Sequence, residues 1–586
     1  MTGSFLASVA PEEHFSTAPV AQPLLNFDGA KPMSPKCPVL RRCLSFLRRA
    51  SSGTRIWMIA AVVSLTICAA NAQFPLNGLY PLNIPQQSPP LELSGISDTV
   101  TLSWPAAASN FVLESSSDLA SGTWTRANNE VIEVVGNQTI ATVPLTSDQQ
   151  FYRLHGPKVY VIPIFQFAVF YDKLMEFTWA ATFVANGRVH GNGDIYVGSS
   201  SALTFNSLVS AAGGIYKTNW DGHTTNQMTG PINYNGNPAS MTNVSRMTLP
   251  VATNGTPAGT REVINMPPSG EDPLSDIALQ RYYNRFGVTL LVSNMTVTAY
   301  LKNSLTSAPT SLSVTNWGTN SVSLLATFPF LSVTNSFIDQ RELSKTVRPT
   351  QIDVGLYSQW LANNADVQAT FPGPNVFPNV LYVADNRTIA TNTDLFAVRL
   401  LNGSILPTNG PSGVPGGWTV ATPNPLYVWG HYNIGPGGST TPGNIDTSKT
   451  FPASLVSDAL TILSPNWQDA QSSLAITDGS KSKAVNNTVN AAILTGIVYS
   501  TDGTSNHFSG GVLNVTRLLE DWTGVTLTLN TSIVNLFDSA RATNWFRNPG
   551  VYYYAPTRLF SFDRNFTNWT KLPPATPLLR VVVAPQ

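Results

Sequence analysis

NGRVHGNGDIYVGSSSALTFNSLVSAAGGIYKT, residues 186–218, is the stretch whose reading decides the fold. Apolar pieces of two to four residues alternate with Asn-Gly, Gly-Asn-Gly, Gly-Ser-Ser and Gly-Gly turns. Turns this frequent leave room for one short strand and one corner at a time, which is the pattern of stacked strands in a β-solenoid or β-helix. No strict period continues beyond it, so the solenoid is an expectation for this patch and, through it, for the large body that contains it.

Composition agrees with a mainly β chain. Charged residues make up 11% of the 586, while aromatics stay at 10%, so the chain is neither a typical charge-coated domain nor a disordered polymer. Asn, Thr, Ser and Gly must cover the surface, and these residues favour tight turns and pleated strands. The expected fold is mainly β: a small N-terminal β-sandwich, then a large β-rich body, read as a β-solenoid, with a few helices.

Outward from 186–218, the body is expected to span 158–586, with a candidate division near 365–420, where Pro372, Pro374, Pro378, Pro407, Pro411 and Pro415 cluster. Phe167, Phe170, Leu174 and Phe177 recur at three- and four-residue spacing, which predicts a core-facing helix over 165–179, with an aromatic groove for a polymer as the sharper alternative. Asp272-Pro273 opens a predicted helix over 274–286 that ends at Gly287, followed by a strand pair over 288–302. Further helices are predicted over 352–361, 452–463 and 513–522, the last two from apolar residues on one face. The clearest alternating strand is Val525-Thr526-Leu527-Thr528-Leu529.

Before the body, residues 91–157 carry short runs about ten residues apart, at 100–104, 111–115, 123–125, 131–135, 139–143 and 150–154, which reads as a sandwich. "LSWP…FVLESSSDLASGTWT…QFYRL" in this region resembles the fibronectin-III or immunoglobulin-like modules of exported bacterial proteins, and that resemblance implies a spacer or adhesive unit. Residues 73–90, with Gln86-Gln87 and five prolines, read as an extended linker. Residues 1–72 read as a presequence: Arg41, Arg42, Arg48, Arg49 and Arg55 precede an uncharged run over 56–70, and Ala70 and Ala72 form an A-x-A cleavage site. The apolar run is shorter than the ~18 residues of a membrane span, so the expectation is an exported protein without a transmembrane span after cleavage. The long n-region makes Met33 and Met58 candidate true starts. All three cysteines (Cys37, Cys43, Cys68) lie before the cleavage point, so neither a disulfide nor a thiolate is expected after it.

Five blocks of the body, "RVHGNGDIYVG", "NPLYVWGHYN", "NAAILTGIVYS", "SGGVLNVTRLLEDWTGVTLTLNTSIVNLF" and "YYYAPTRLFSFDRNF", in this order resemble the β-rich C-terminal region of PilX-like proteins, which accompany type IV pilus machinery. The resemblance implies a pilus-associated envelope protein. The chain departs from that family at its start, where an A-x-A signal and a sandwich stand in place of a short leader and a long filament helix, so a role as a filament subunit is not implied.

Chain-wide charge balances at 33 basic and 33 acidic residues; after residue 72 it is 26 against 30, which gives no electrostatic footprint for nucleic acid. The histidines after the presequence (His155, His190, His223, His431, His507) stand singly, without paired metal spacing. Asp221-Gly222-His223 and Asp194, after Gly191-Asn192-Gly193, are the nearest approaches to metal sites, and both read as turns. Gly198-Ser199-Ser200 and Ser509-Gly510-Gly511 miss the nucleophile-elbow pattern. Glu520-Asp521 on a predicted helix diverge, and Asp339, Arg341 and Glu342 read as a structural ion-pair knot. No catalytic, cofactor or metal residue is assigned, and no cofactor is expected. The leading expectation is a non-enzymatic envelope or surface protein, adhesive or pilus-associated, whose partners are pilus or envelope proteins or surface glycans. The alternative is a secreted carbohydrate-active enzyme or a glycan-binding protein on a β-solenoid.

Overall fold

The computed structural model describes residues 80–81 and 89–583, apart from 97, 109–110, 120–122, 128–129, 145–149, 157, 221–227, 251–256, 286, 305–306, 373–376, 389–391, 408–415, 502–506 and 547–549. The presequence, most of the 73–90 linker and Asp221-Gly222-His223 lie outside the described residues. The chain is mainly β and divides into two compact units.

In the first unit, Glu92–Ile96, Thr99–Pro105, Gln138–Pro144 and Val131–Val135 form an antiparallel sheet, and Thr125–Arg126, Val112–Ser116 and Phe151–His155 form a second. Val100, Leu102 and Trp104 from the first sheet share a buried cluster with Leu113 and Leu154 from the second. Alternation of apolar and polar residues, as in Val100-Thr101-Leu102-Ser103-Trp104, turns one face of each strand inward.

The second unit holds everything from His155 onward, 365–420 included, and Tyr80–Pro81, which pairs with Val161 and Tyr160. Within the expected linker, these two residues form a short strand. The unit is a parallel β-coil. Phe167–Tyr171, Met175–Thr178 and Phe183–Ala185 make one rung; Arg188–Gly191, Ile195–Gly198 and Leu203–Phe205 stack on it in parallel register, and Val209–Ala211, Ile215–Tyr216 and Ile232–Tyr234 stack on those. The expected solenoid patch at 186–218 therefore holds the middle of three rungs and the first two strands of the third. A second set of rungs runs through Val380–Asp385, Trp418–Ala421, Ala453–Ser457, Ala492–Thr495 and Ile533–Asn535.

The two sets join in an order that the chain does not follow. Ile533–Asn535, from the last rung of the second set, pairs with Phe167–Tyr171, from the first rung of the first set. The result is one sheet of twelve described strands: ten parallel ones threaded from Gly287–Val292 up to Ile533–Asn535 and on through Phe167–Tyr171 to Ser240–Met241, and the antiparallel Thr296–Lys302 and Thr310–Thr315 beyond Gly287–Val292. Its inner face carries one ladder, Val288, Leu381, Val420, Leu455, Ile493, Ile533, Val169, Val189 and Val209, every member at most 2% exposed. A coil that begins in its own middle needs a return path. From Ser240–Met241 back to Gly287–Val292 is nine strand intervals, roughly 43 Å at ~4.8 Å each, and the segment between them covers it.

That crossing segment lies on the outer face of the long sheet. Its Val263, Ile264 and Tyr282 pack with Val380, Tyr382, Ala421, Val456 and Leu494, and Tyr382 Oη donates to the Ile264 carbonyl at 2.8 Å. Arg261 pairs with Asp458 at 2.6 Å, and buried Arg281 pairs with Glu271 and Glu262.

This covering explains where sequence periodicity misleads. The region 452–463 is not a helix but two strands, Ala453–Ser457 and Leu460–Leu463, around a corner at Asp458. Both faces of each are buried, so the strand reads as a continuous apolar run instead of an alternating one. Likewise 513–522 is a 3-10 turn, Val512–Asn514, and a strand, Thr516–Arg517. Over 165–179 the chain makes a 3-10 turn and two strands, and Phe167, Phe170 and Phe177 are core residues rather than a groove. The predicted helix over 274–286 shortens to Asp276–Gln280 and a 3-10 turn, with Arg281 extended between them. The strand pair over 288–302, the strand at Thr526–Thr531 and a helix at Val354–Asn363 stand where expected.

Asparagine does much of the corner work. Asn433 and Asn490 exchange side-chain-to-carbonyl hydrogen bonds at 2.7 and 2.9 Å, and Asn530 donates to Asn490 at 2.8 Å. Asn206 and Asn235 each donate to the asparagine one rung below, Asn186 and Asn206 respectively. A short amide side chain both donates and accepts, so stacking it rung on rung satisfies corner groups that no strand ladder reaches.

Candidate functional site

Among the described residues, the coil is continuous through one of its three sheets where the two sets of rungs meet. The second sheet stops at Thr516–Arg517 and the third at Thr557–Phe562, while Met175–Thr178 and Phe183–Ala185 start separate sheets on the next rung. Phe183 bridges the third-sheet gap by stacking on Phe560, ring centroids 4.8 Å apart. Between these two rungs lies a pocket of about 360 Å³, part of it open to solvent, walled by Glu176, Trp179 and Ala180 on one side and by Gly510, Gly511, Asn514 and Arg558 on the other.

Glu176 reaches it through strand alternation. In Met175–Thr178, Met175 and Phe177 enter the coil core, which turns Glu176 outward. The loop leading to Val512–Asn514 folds over it and leaves it 3% exposed. Ser500 Oγ and Ser509 Oγ donate to Glu176 Oε2 at 2.7 and 2.6 Å; Oε1 has no hydrogen-bond partner among the described residues. Burial pushes this carboxyl up to about 7, against the pull of the two hydroxyls. Close approach of the loop depends on Gly510 and Gly511, at φ +88° and +68°; a Cβ on Gly511 would lie 2.8 Å from the Glu176 carbonyl oxygen.

Across the pocket, Arg558 stands on the strand Thr557–Phe562, opposite Leu527 of the preceding rung. Its Nη2 donates to Asn514 Oδ1 at 2.9 Å and Tyr553 Oη at 3.2 Å, while Nε is buried without a partner. No carboxylate lies within ion-pair distance of it among the described residues.

Trp179 is 41% exposed and takes φ +50°. A bulky side chain in the left-handed region is strained, and such strain concentrates at functional positions. Trp179 stands edge-on to Trp220 at 5.5 Å, Trp220 stacks on Phe508 at 6.1 Å, and Phe508 meets Phe546 edge-on at 5.3 Å. The pocket thus combines one carboxyl poised between its two forms, one guanidinium without a counter-charge and a row of rings leading away from it. This is the chemistry of a site that grips a polyhydroxylated ligand: flat apolar faces for stacking and a few convergent polar groups for orientation.

Most residues singled out from sequence sit elsewhere. His190 is fully buried; its Nδ1 meets Ser210 Oγ at 2.8 Å and its Nε2 meets Asn192 Oδ1 at 3.0 Å, and burial lowers it to about 4. His431 accepts from the Thr488 amide, and His507 lies over Trp545. Asp194 accepts from the Gly214 amide at 2.8 Å and so closes a turn of the next rung. Glu520 and Asp521 do diverge, on extended backbone rather than a helix: Glu520 is bound by Ser464, Asp521 by Lys483. In the 339–342 knot, Glu342 pairs with Arg517 at 2.5 Å and Asp339 accepts from Tyr427 Oη at 2.6 Å. Among the described residues no three His, Cys, Asp or Glu side chains gather as a metal ion would need, and no helix is long and apolar enough to cross a membrane.

Sequence reasoning passed over Glu176, Trp179 and Arg558. The available signal was weak: Glu176 is one of two carboxylates, with Asp172, inside the aromatic-rich run Phe165 to Trp179, a stretch that gives a charge no easy place. Ser509-Gly510-Gly511, read as a turn, is a turn that touches the site. The chain matches no family model, no curated protein and no solved structure.

Proposed function

We propose that this is an exported envelope or surface protein whose β-coil binds a glycan at the seam between its two sets of rungs. One observation carries the glycan: Trp179, exposed and strained, stands edge-on to Trp220 at the mouth of a pocket containing Glu176 and Arg558. Sugar rings present C–H faces that pack on aromatic rings while their hydroxyls need polar partners, and both kinds of group converge here. Export rests on the signal-like residues 41–72, and envelope or pilus association on the sequence resemblance. The pocket presents one carboxylate, whereas glycosidic hydrolysis uses two placed ~5–10 Å apart, so binding is favoured over hydrolysis.

The test is affinity electrophoresis or calorimetry of the exported chain against a polysaccharide panel, with Trp179→Ala beside the parent. Retarded migration or heat with at least one glycan, weakened about tenfold or more in the variant, is the expected result. A chain that binds none of the panel, or a variant that binds as tightly as the parent, overturns the reading.

A further inference from the structure

Resting on that reading, we propose that the seam pocket selects an acidic glycan, one whose sugar units carry carboxylates, and that Arg558 is the residue that recognises the charge. Arg558 lines the pocket and is held by neutral oxygens alone, those of Asn514 and Tyr553. Four buried arginines of the coil have an acidic partner: Arg281 pairs with Glu271, Arg387 with Asp385, Arg399 with Asp469 and Arg517 with Glu342. Arg285, Arg341 and Arg558 have no carboxylate within ion-pair distance among the described residues, and each has a buried Nε without a partner; of these three, Arg558 lines the pocket. At the pocket wall Arg558 lies over the Tyr553 ring, 5.8 Å from its centroid, with Nε buried and unbonded and no counter-charge among the described residues.

A buried donor without a partner and a cation without a counter-charge are both unfavourable in a partly dry pocket. A ligand carboxylate supplies the missing charge and matches the planar donor edge of a guanidinium. The opposite wall is arranged for the same ligand. Glu176 is 3% exposed and bonded through Oε2 only, and its burial favours the neutral carboxylic acid. In that form Glu176 adds no second negative charge and can share its proton with a ligand carboxylate. A sulfate ester matches the cation but not this proton-sharing wall, because it stays ionised and is a poor proton acceptor. Trp179 and Trp220 supply the stacking surface beside it.

The deciding experiment is calorimetric titration of the full chain with a uronic-acid oligosaccharide, the same oligosaccharide with its carboxyls reduced to alcohols, and a sulfated oligosaccharide of similar length. The parent should bind the uronate at least tenfold more tightly than its reduced form and more tightly than the sulfated one. Arg558→Gln, with an unchanged melting temperature, should weaken uronate binding much more than binding of the reduced form and so lose most of that preference, and Arg558→Lys should restore part of it. Equal affinity of the parent for uronate and reduced forms, or a preference that persists in Arg558→Gln, overturns the acidic selection and leaves the glycan reading standing. Tighter binding of the sulfated oligosaccharide overturns the carboxylate in favour of a general anion site. Absence of binding to all three and to the wider panel defeats the glycan reading itself.

Discussion

Single residues in this coil carry unusual weight because its polar groups are buried in stacks. Glu176 and Glu520 are both raised by burial from 4.5 to about 7. Each carboxyl therefore holds its proton more tightly folded than unfolded, and its contribution to stability is complete below pH 4.5 and lost as pH rises from 4.5 to 7. The loss amounts to roughly 3 kcal/mol for each group at most. His190, lowered by burial to about 4, acts in the opposite sense: its contribution is lost as pH falls from 6.5 to 4. Comparing Glu520→Gln with the parent isolates the carboxyl. The variant should gain stability relative to the parent at pH 8 and not at pH 4, read from urea midpoints at the two values. Asp458 is a second sensitive position, because it accepts from Ser539 Oγ and the amides of Ala540, Arg541 and Ala542 and pairs with Arg261. Asp458→Ala should cost on the order of 3–5 kcal/mol, since it strands a buried cation and several donors. A midpoint shift worth under ~1 kcal/mol contradicts that account.

At the scale of elements, rungs differ in length while keeping register. Stacked positions lie 20 residues apart in the first set, 29 at its third rung, and 35, 38 and 40 in the second set. Insertions at the corners carry this variation, which is why no period is visible beyond 186–218 although the coil is regular. The same physics makes strand and helix hard to separate by pattern. A strand buried on both faces loses its alternation, so 452–463 presents an apolar face to a helical wheel as readily as to a sheet. Where one face stays open, as in Thr296–Lys302, alternation survives and the strand is legible. The loop over Glu176 is the element on which the pocket depends. Gly511→Ala should disturb it locally: glycan affinity should fall at least tenfold while the global melting temperature moves by no more than a few degrees. Full affinity in Gly511→Ala contradicts the tight approach of loop to strand.

On the scale of the whole molecule, the coil is closed by its ends. Leu578–Val583 pairs along its length with Lys158–Pro163 and, on its other edge, with Met247–Thr248. With Tyr80–Pro81 on the far edge of Lys158–Pro163, four distant parts of the chain thus meet in one small sheet, and the entry to the coil is fastened to its exit. Removing residues 577–586 should expose Val161 and Ile162 and leave the strand Lys158–Pro163 with a free edge. The expected outcome is a loss of several kcal/mol with raised hydrogen exchange at 158–171, and unchanged exchange there contradicts the clamp. The seam pocket belongs to this scale too, since it exists only because two of three sheets are interrupted where residue 533 meets residue 169.

What the sequence by itself determined is local. Glycine and asparagine punctuation set the short strands and corners, alternation set the strands that keep one open face, and low charge with abundant Asn, Thr and Ser set a β chain whose polar groups bond to one another. The tertiary structure alone decided which rung follows which, because parallel stacking joins residues whose separation ranges from 20 to several hundred positions and no local pattern records that pairing. It also decided the site. Glu176 and Arg558 are ordinary residues in sequence, and they become a carboxyl raised to about 7 and an uncompensated cation only when a loop from the neighbouring rung buries one and withholds a counter-charge from the other.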